Sequence, residues 1–213
     1  IEGIDIMLAI DVSTSMLAED LKPNRLEAAK DVAAEFINGR PNDNIGITLF
    51  AGETFTQCPL TVDHAVLLDM IHNIKCGLIT DGTAVGMGIA NAVTRLKDSK
   101  AKSKVIILLT DGTNNKGDIS PMTAAEIAKS FGIRVYTIGV GTNGMAPYPY
   151  PVGNTVQYVS MPVEIDEKTL TEIAGTTDGN YFRATSNSKL KEVYEEIDKL
   201  EKTKLNAKEY SKR

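Results

Sequence analysis

Ile4-Asp5-Ile6-Met7-Leu8-Ala9-Ile10-Asp11-Val12-Ser13-Thr14-Ser15-Met16 is the stretch on which the reading of this chain turns. Residues 4–11 form an apolar run with Asp5 early and Asp11 at its close, the pattern of a strand buried on both faces of a sheet. Where that strand runs out, the chain presents one carboxylate (Asp11) and two hydroxyls (Ser13, Ser15) at alternate positions. These are hard oxygen donors, suited to Mg²⁺, Mn²⁺ or Ca²⁺ rather than to softer metals. A site with so few charges holds a cation that can still accept a carboxylate from a partner. That is binding chemistry more than catalysis.

Outward from this stretch, helix and strand alternate. Leu26, Ala29, Val32, Ala33, Phe36 and Ile37 recur at helical spacing and predict a helix over 23–38, with Pro23 at its start and Gly39 at its stop. Strands are predicted at 44–51, at 104–110 and at 133–140, and a short antiparallel edge strand at 54–58. Helices are predicted over 63–73, 84–97, 121–131 and 166–174, an edge strand over 179–184, and a long amphipathic helix from about 187. Residues 142–163 break the rhythm: Pro147, Pro149 and Pro151 make the segment too proline-rich for a helix or central strand. It reads as an excursion, a partner-binding loop or a rigid packed one, with a hairpin return through 156–159. The fold class that follows is α/β: a doubly wound, mostly parallel six-stranded sheet with one antiparallel edge strand and helices on both faces. In such sheets ligands sit at the carboxyl ends of the strands where strand order reverses. That rule selects the loops 11–16 and 110–115, and admits the loop 80–84.

Composition narrows the function classes. The 213 residues suffice for one large domain, and a formal net charge of −5 gives no general attraction to nucleic acid or anionic lipid. No apolar run approaches the roughly 20 residues of a membrane helix. The chain shows no signal peptide, does not begin with Met, and reads as an excised domain. Cys58 and Cys76 flank a helical stretch that would hold them roughly 20 Å apart at the helical rise, so neither a disulfide nor a zinc site is expected. His64 and His72 lack ligand neighbours and are expected to face solvent. Asp81 is expected in a turn or cap.

Three loops therefore offer oxygen: Asp11, Ser13 and Ser15, then Thr83, then Asp111. Taken singly, the serines could cap a turn and Asp111-Gly112 could be a turn pair. Together, in this order, they resemble the metal-ion-dependent adhesion site of von Willebrand factor A domains. The resemblance covers residues 1–202 and leaves 203–213 as a basic tail, a solvated helix end or a juxtamembrane segment. It implies that Ser13, Ser15 and Thr83 bind a divalent cation directly, Mg²⁺ first and Mn²⁺ or Ca²⁺ next. Asp11 and Asp111 would hold waters and fix the serine rotamers. A partner's Asp or Glu would complete the coordination. Movement of the last helix, as in adhesion relatives, is a further possibility that the sequence leaves open.

Residues 6–16, 49–61 and 81–88 are similar to the bacterial aerotolerance-operon (Bat-type) membrane proteins. That likeness implies a parent protein in the bacterial inner membrane, with membrane helices on both sides of a periplasmic domain. It also implies work alongside sister A-domain proteins and a MoxR-type ATPase, in stress tolerance or envelope assembly. The basic tail would favour the cytoplasmic side if a span follows it. Two alternatives compete: a metal-dependent phosphotransfer or hydrolase enzyme on the same sheet, and a scaffold with an inactive metal site. Phosphotransferase sites usually want a second acid two residues after the first, and that position is Ser13. No Gly-x-x-x-x-Gly-Lys-Ser/Thr loop or Gly-x-Ser-x-Gly elbow occurs, and Gly139-Val140-Gly141-Thr142-Asn143-Gly144, which has Gly-x-Gly-x-x-Gly spacing after a strand, runs into a Pro-rich loop rather than the helix a dinucleotide site needs.

Overall fold

Eight strands and six helices follow one another in the computed structural model, which describes residues 3–211. Strand β1 (Asp5–Asp11) leads through a 3-10 turn (Thr14–Leu17) to α1 (Arg25–Asn38). Next come β2 (Asn44–Phe50), β3 (Thr54–Thr61), α2 (His64–His72), α3 (Val85–Leu96) and β4 (Lys104–Thr110). The chain continues through α4 (Pro121–Ser130), β5 (Ile133–Val140), β6 (Met145–Val152), β7 (Thr155–Pro162), α5 (Glu167–Thr176), β8 (Tyr181–Ala184) and α6 (Asn187–Tyr210).

Six strands form one sheet in the order β3-β2-β1-β4-β5-β8, in which β3 runs antiparallel to β2 and the other neighbours are parallel. The doubly wound architecture is the expected one. Period-two alternation splits the core into two layers. Ile6, Leu8 and Ile10 of β1 and Ile107 and Leu109 of β4 pack with α1, α2 and α6. Met7, Ala9, Ile106 and Leu108 pack on the other face with α3, α4 and α5. Strand order reverses between β1 and β4, so the crevice at their carboxyl ends is the switch point.

Local chemistry moves some boundaries. Helix α1 starts at Arg25, not at Pro23, because the Asn24 side chain accepts from the Glu27 N–H and fixes the first turn. Strand β3 runs on through Pro59 to Thr61, which an edge position tolerates. The proline-rich excursion is a two-stranded antiparallel ribbon, β6 with β7, longer than the predicted return and turned at Gly153 with φ of 60°. Helix α6 is continuous across position 202, so residues 203–210 of the basic segment are helical. Lys212 and Arg213 lie outside the described residues. Cys58 and Cys76 are free thiols. His72 is exposed, but His64 departs from expectation: it is half-buried, its Nε2 2.8 Å from the Asp43 carbonyl oxygen. Among the described residues no helix is long and apolar enough to cross a membrane.

Candidate metal centre

Asp11 closes β1 and Asp111 follows β4, so two adjacent parallel strands deliver two carboxylates to one end of the sheet. Both are buried. Asp11 Oδ1 accepts from the Ser13 N–H at 2.8 Å and Oδ2 from the Thr110 hydroxyl at 2.8 Å. Asp111 Oδ1 accepts from the Ser15 hydroxyl at 2.8 Å. The Ser13 and Ser15 hydroxyls stand 2.9 Å apart. Neither is spent as a helix cap: Ser13 precedes the 3-10 turn but makes no side-chain cap bond. Asn24, Asp63, Ser120, Asp166 and Ser186 do cap the helices they precede. The reading in which Ser13 merely caps the turn is thereby set aside.

The third loop is pinned from below. Gly52 N–H donates to the Thr80 carbonyl at 2.7 Å and Ala84 N–H to the Ala51 carbonyl at 2.7 Å. A side chain at Gly52 would meet the Asp81 carbonyl oxygen at 2.5 Å, so only glycine allows this approach. The result places Thr83 Oγ1 3.6 Å from where a side chain on Gly112 would begin, against the Asp111 turn. Hydrogen bonds thus join Asp11 to Ser13, Ser13 to Ser15 and Ser15 to Asp111, and Thr83 stands beside the Asp111-Gly112 turn. Among the described residues no group of three His, Cys, Asp or Glu side chains could hold a metal. The set is one of neutral hydroxyls over two carboxylates, with the Ser15 residue exposed at its mouth. Such donors suit a small hard cation that keeps part of its water shell.

Residues 5–196 match the von Willebrand factor type A domain family. The chain belongs to this family. Among solved structures, this A domain is similar to an aerotolerance-related membrane protein from Bacteroides fragilis: 32% identity, TM-score 0.81, covering 92% of this chain and 98% of that one. BatB from Bacteroides thetaiotaomicron is also similar, with 34% identity, TM-score 0.81, and coverage of 94% and 100%. A UPF0353 protein from Mycolicibacterium paratuberculosis is 30% identical over 91% of this chain and 59% of its own length. The chain thus spans 59% of the curated relatives it first matches.

The electrostatics of the A domain's site follow from its burial. Burial, and after it the nearby Asp111 charge, raise the Asp11 pKa to about 7 against the opposing hydrogen bonds from Ser13 and Thr110. Asp111 is also raised, chiefly by burial, although the Arg25 guanidinium opposes the shift. Asp81 stays below the usual carboxylate range, because hydrogen bonds from Thr14 outweigh the effect of its burial. Its two oxygens accept from the Thr14 N–H and hydroxyl at 3.1 and 2.9 Å, so it ties loop 80–84 to the first loop.

Sequence reasoning missed four contributors. Arg25 is buried in the first turn of α1, donates to Asp111 Oδ2 at 2.9 Å, and pairs with Asp20 through Nε and Nη2 at 2.7 Å. Asp20 also accepts from the Thr142 N–H at 2.9 Å, at the foot of the β6–β7 ribbon. These bonds outweigh burial and keep Asp20 below the usual range. Thr110 supports Asp11 from the end of β4. Cys76 Sγ lies 3.4 Å from the Ser13 carbonyl oxygen; burial and the two aspartates push its pKa up to about 12, so it stays a thiol. Thr110 carried a visible signal, a hydroxyl closing an apolar strand beside Asp111. Arg25 carried none, since its partner Asp111 is remote in sequence.

Proposed function

We propose that this A domain holds a divalent cation, Mg²⁺ by preference and Mn²⁺ or Ca²⁺ next, and uses it to capture an acidic residue of a protein partner. One observation carries the reading: the Ser13 and Ser15 hydroxyls meet at 2.9 Å over a buried carboxylate and do no structural capping. Ser13, Ser15 and Thr83 would bind the cation through neutral oxygens. Asp11 and Asp111 would orient waters and hydroxyls from behind, since each already accepts hydrogen bonds from the protein. A cation held mostly by neutral ligands keeps its charge for an incoming carboxylate. No observation favours hydrolysis: the buried carboxylates are engaged by protein donors.

The likeness to an aerotolerance-related membrane protein and to BatB supports a Bat-type parent anchored in the bacterial inner membrane. In that reading the domain is periplasmic, and sister A-domain proteins and a MoxR-type ATPase belong to its working group. Calorimetric titration of the chelator-stripped domain with each cation tests the centre. Saturable binding lost in Asp11→Ala is expected. Heat of binding that the substitution leaves unchanged would refute the site.

A further inference from the structure

The β6–β7 ribbon has two unlike edges. Pro147, Pro149 and Pro151 alternate along β6 and face Ser160, Tyr158 and Val156 across the register. Proline has no N–H, so in an antiparallel pair these three take the positions that point outward from the ladder. The Pro147 carbonyl does point outward, accepting from the Glu19 N–H at 2.8 Å. The register imposes the same on the residues opposite. Val156, Tyr158 and Ser160 aim their N–H and C=O groups along the outer edge of β7. Among the described residues that sheet has two strands and every residue of β7 is exposed. The β6 edge is closed by its prolines and by Glu19; the β7 edge is open.

We propose that the open edge of β7 takes an extended segment of a partner protein, uncharged but for one acidic residue at its end, by main-chain pairing. The proposal rests on the metal reading above, because the acidic residue at one end of that segment is the one the cation receives. The chemistry of the edge selects this occupant. Donors and acceptors recur at every second residue, which an added strand satisfies and a helix does not. Residues 145–162 contain no charged side chain, so the charges that ordinarily keep an edge from pairing are missing. The end of β7 also lies beside the site: Met161 and Pro162, with Ala146 and Tyr148 of β6, line a cleft of about 250 Å³ together with Thr14 and Ser15. Val156 to Ser160 spans about 13 Å of extended chain, so a short peptide suffices to occupy it.

The probes are labelled peptides of alternating Thr and Val with one Glu at either end, read by fluorescence anisotropy in Mg²⁺ or in chelator. Mg²⁺-dependent binding is expected for one orientation. Val156→Pro with Ser160→Pro gives β7 the ladder of prolines that β6 already has, without touching the bonds between the two strands. It should weaken the peptide by about tenfold or more, through two lost ladder bonds, and leave Mg²⁺ titration unchanged. Should the prolines unfold the ribbon, the peptide itself supplies the test. N-methylation on alternate residues should abolish binding on one edge of the peptide and spare it on the other. Equal binding of both N-methylated peptides, undiminished binding by the proline variant, or no binding by either peptide would overturn the edge while leaving cation binding to stand. Edge-dependent binding that needs no Mg²⁺ would refute the metal link instead. A dimer of the unmodified domain that the prolines convert to monomer would give the edge to a second copy and overturn the proposed occupant.

Discussion

Strands β4 and β7 are both rich in residues that favour extended chain, yet β4 is buried from Val105 to Thr110 and β7 is exposed from end to end. Helices make the difference. Strand β4 sits between α1 and α6 on one face and α3 on the other, delivered by the crossovers of a parallel sheet. Strand β7 lies outside that sheet and, among the described residues, pairs only with its hairpin partner β6. Val156 and Val159 stay 56% and 43% exposed where Ile107 is sealed. The same kind of side chain therefore stabilises the fold in one place and is left exposed in the other.

The sharpest way to break this contrast is truncation. Ile107→Ala should cost about 2–5 kcal/mol in urea unfolding, the transfer and cavity cost of a sealed side chain. Were the domain to lose less than about 1 kcal/mol, the burial assigned to β4 would be wrong. A second buried point tests whether α6 is locked to the sheet. Glu201 accepts from the Tyr136 hydroxyl at 2.5 Å and from Arg134 Nη1 at 2.7 Å, so Glu201→Ala should destabilise by about 3 kcal/mol. A smaller loss by thermal melting would favour a helix free to shift.

Asp11 lies where sheet and site meet, and its effect depends on pH. Its folded pKa is raised to about 7, above the unfolded value, so the cation-free domain binds more protons folded than unfolded. Stability should therefore fall as pH rises from about 4 to about 7. Asp11→Asn should flatten that slope, and denaturant midpoints across the window check it. Mg²⁺ needs the ionised form, so its affinity should climb with pH through the same interval, with proton release seen by calorimetry in buffers of different ionisation heat. The smallest effect belongs to the ribbon: Val159→Ala should change stability by less than about 0.5 kcal/mol. A larger loss would mean that β7 is packed rather than presented.

What could be read in advance follows the same divide. The β1 and β4 runs and the alternation of strand and helix were legible because each depends on residues close together in sequence, whereas the five oxygen donors, spread from Asp11 to Asp111, were picked out as a set only through the family resemblance. The ribbon was half legible: its prolines excluded a core strand, but nothing local showed that they would line one edge of a hairpin. Arg25 was not legible. Its place beneath Asp111 exists only once α1 has packed against the sheet. His64 was misplaced for a similar reason, because the Asp43 carbonyl it meets comes from a separate loop.

The Arg25 guanidinium has one further consequence. It grips Asp111 with one nitrogen and Asp20 with two others, and Asp20 holds the Thr142 N–H from which the ribbon springs. Centre and ribbon are two ends of one run of charged hydrogen bonds. Thermodynamic linkage between two such ends is reciprocal: whatever factor a bound cation adds to the hold on a partner, a bound partner adds to the hold on the cation. Scarcity of either could then be offset by abundance of the other. If the proposed cation and partner both bind, the domain would respond to the product of their two concentrations, as a coincidence detector does.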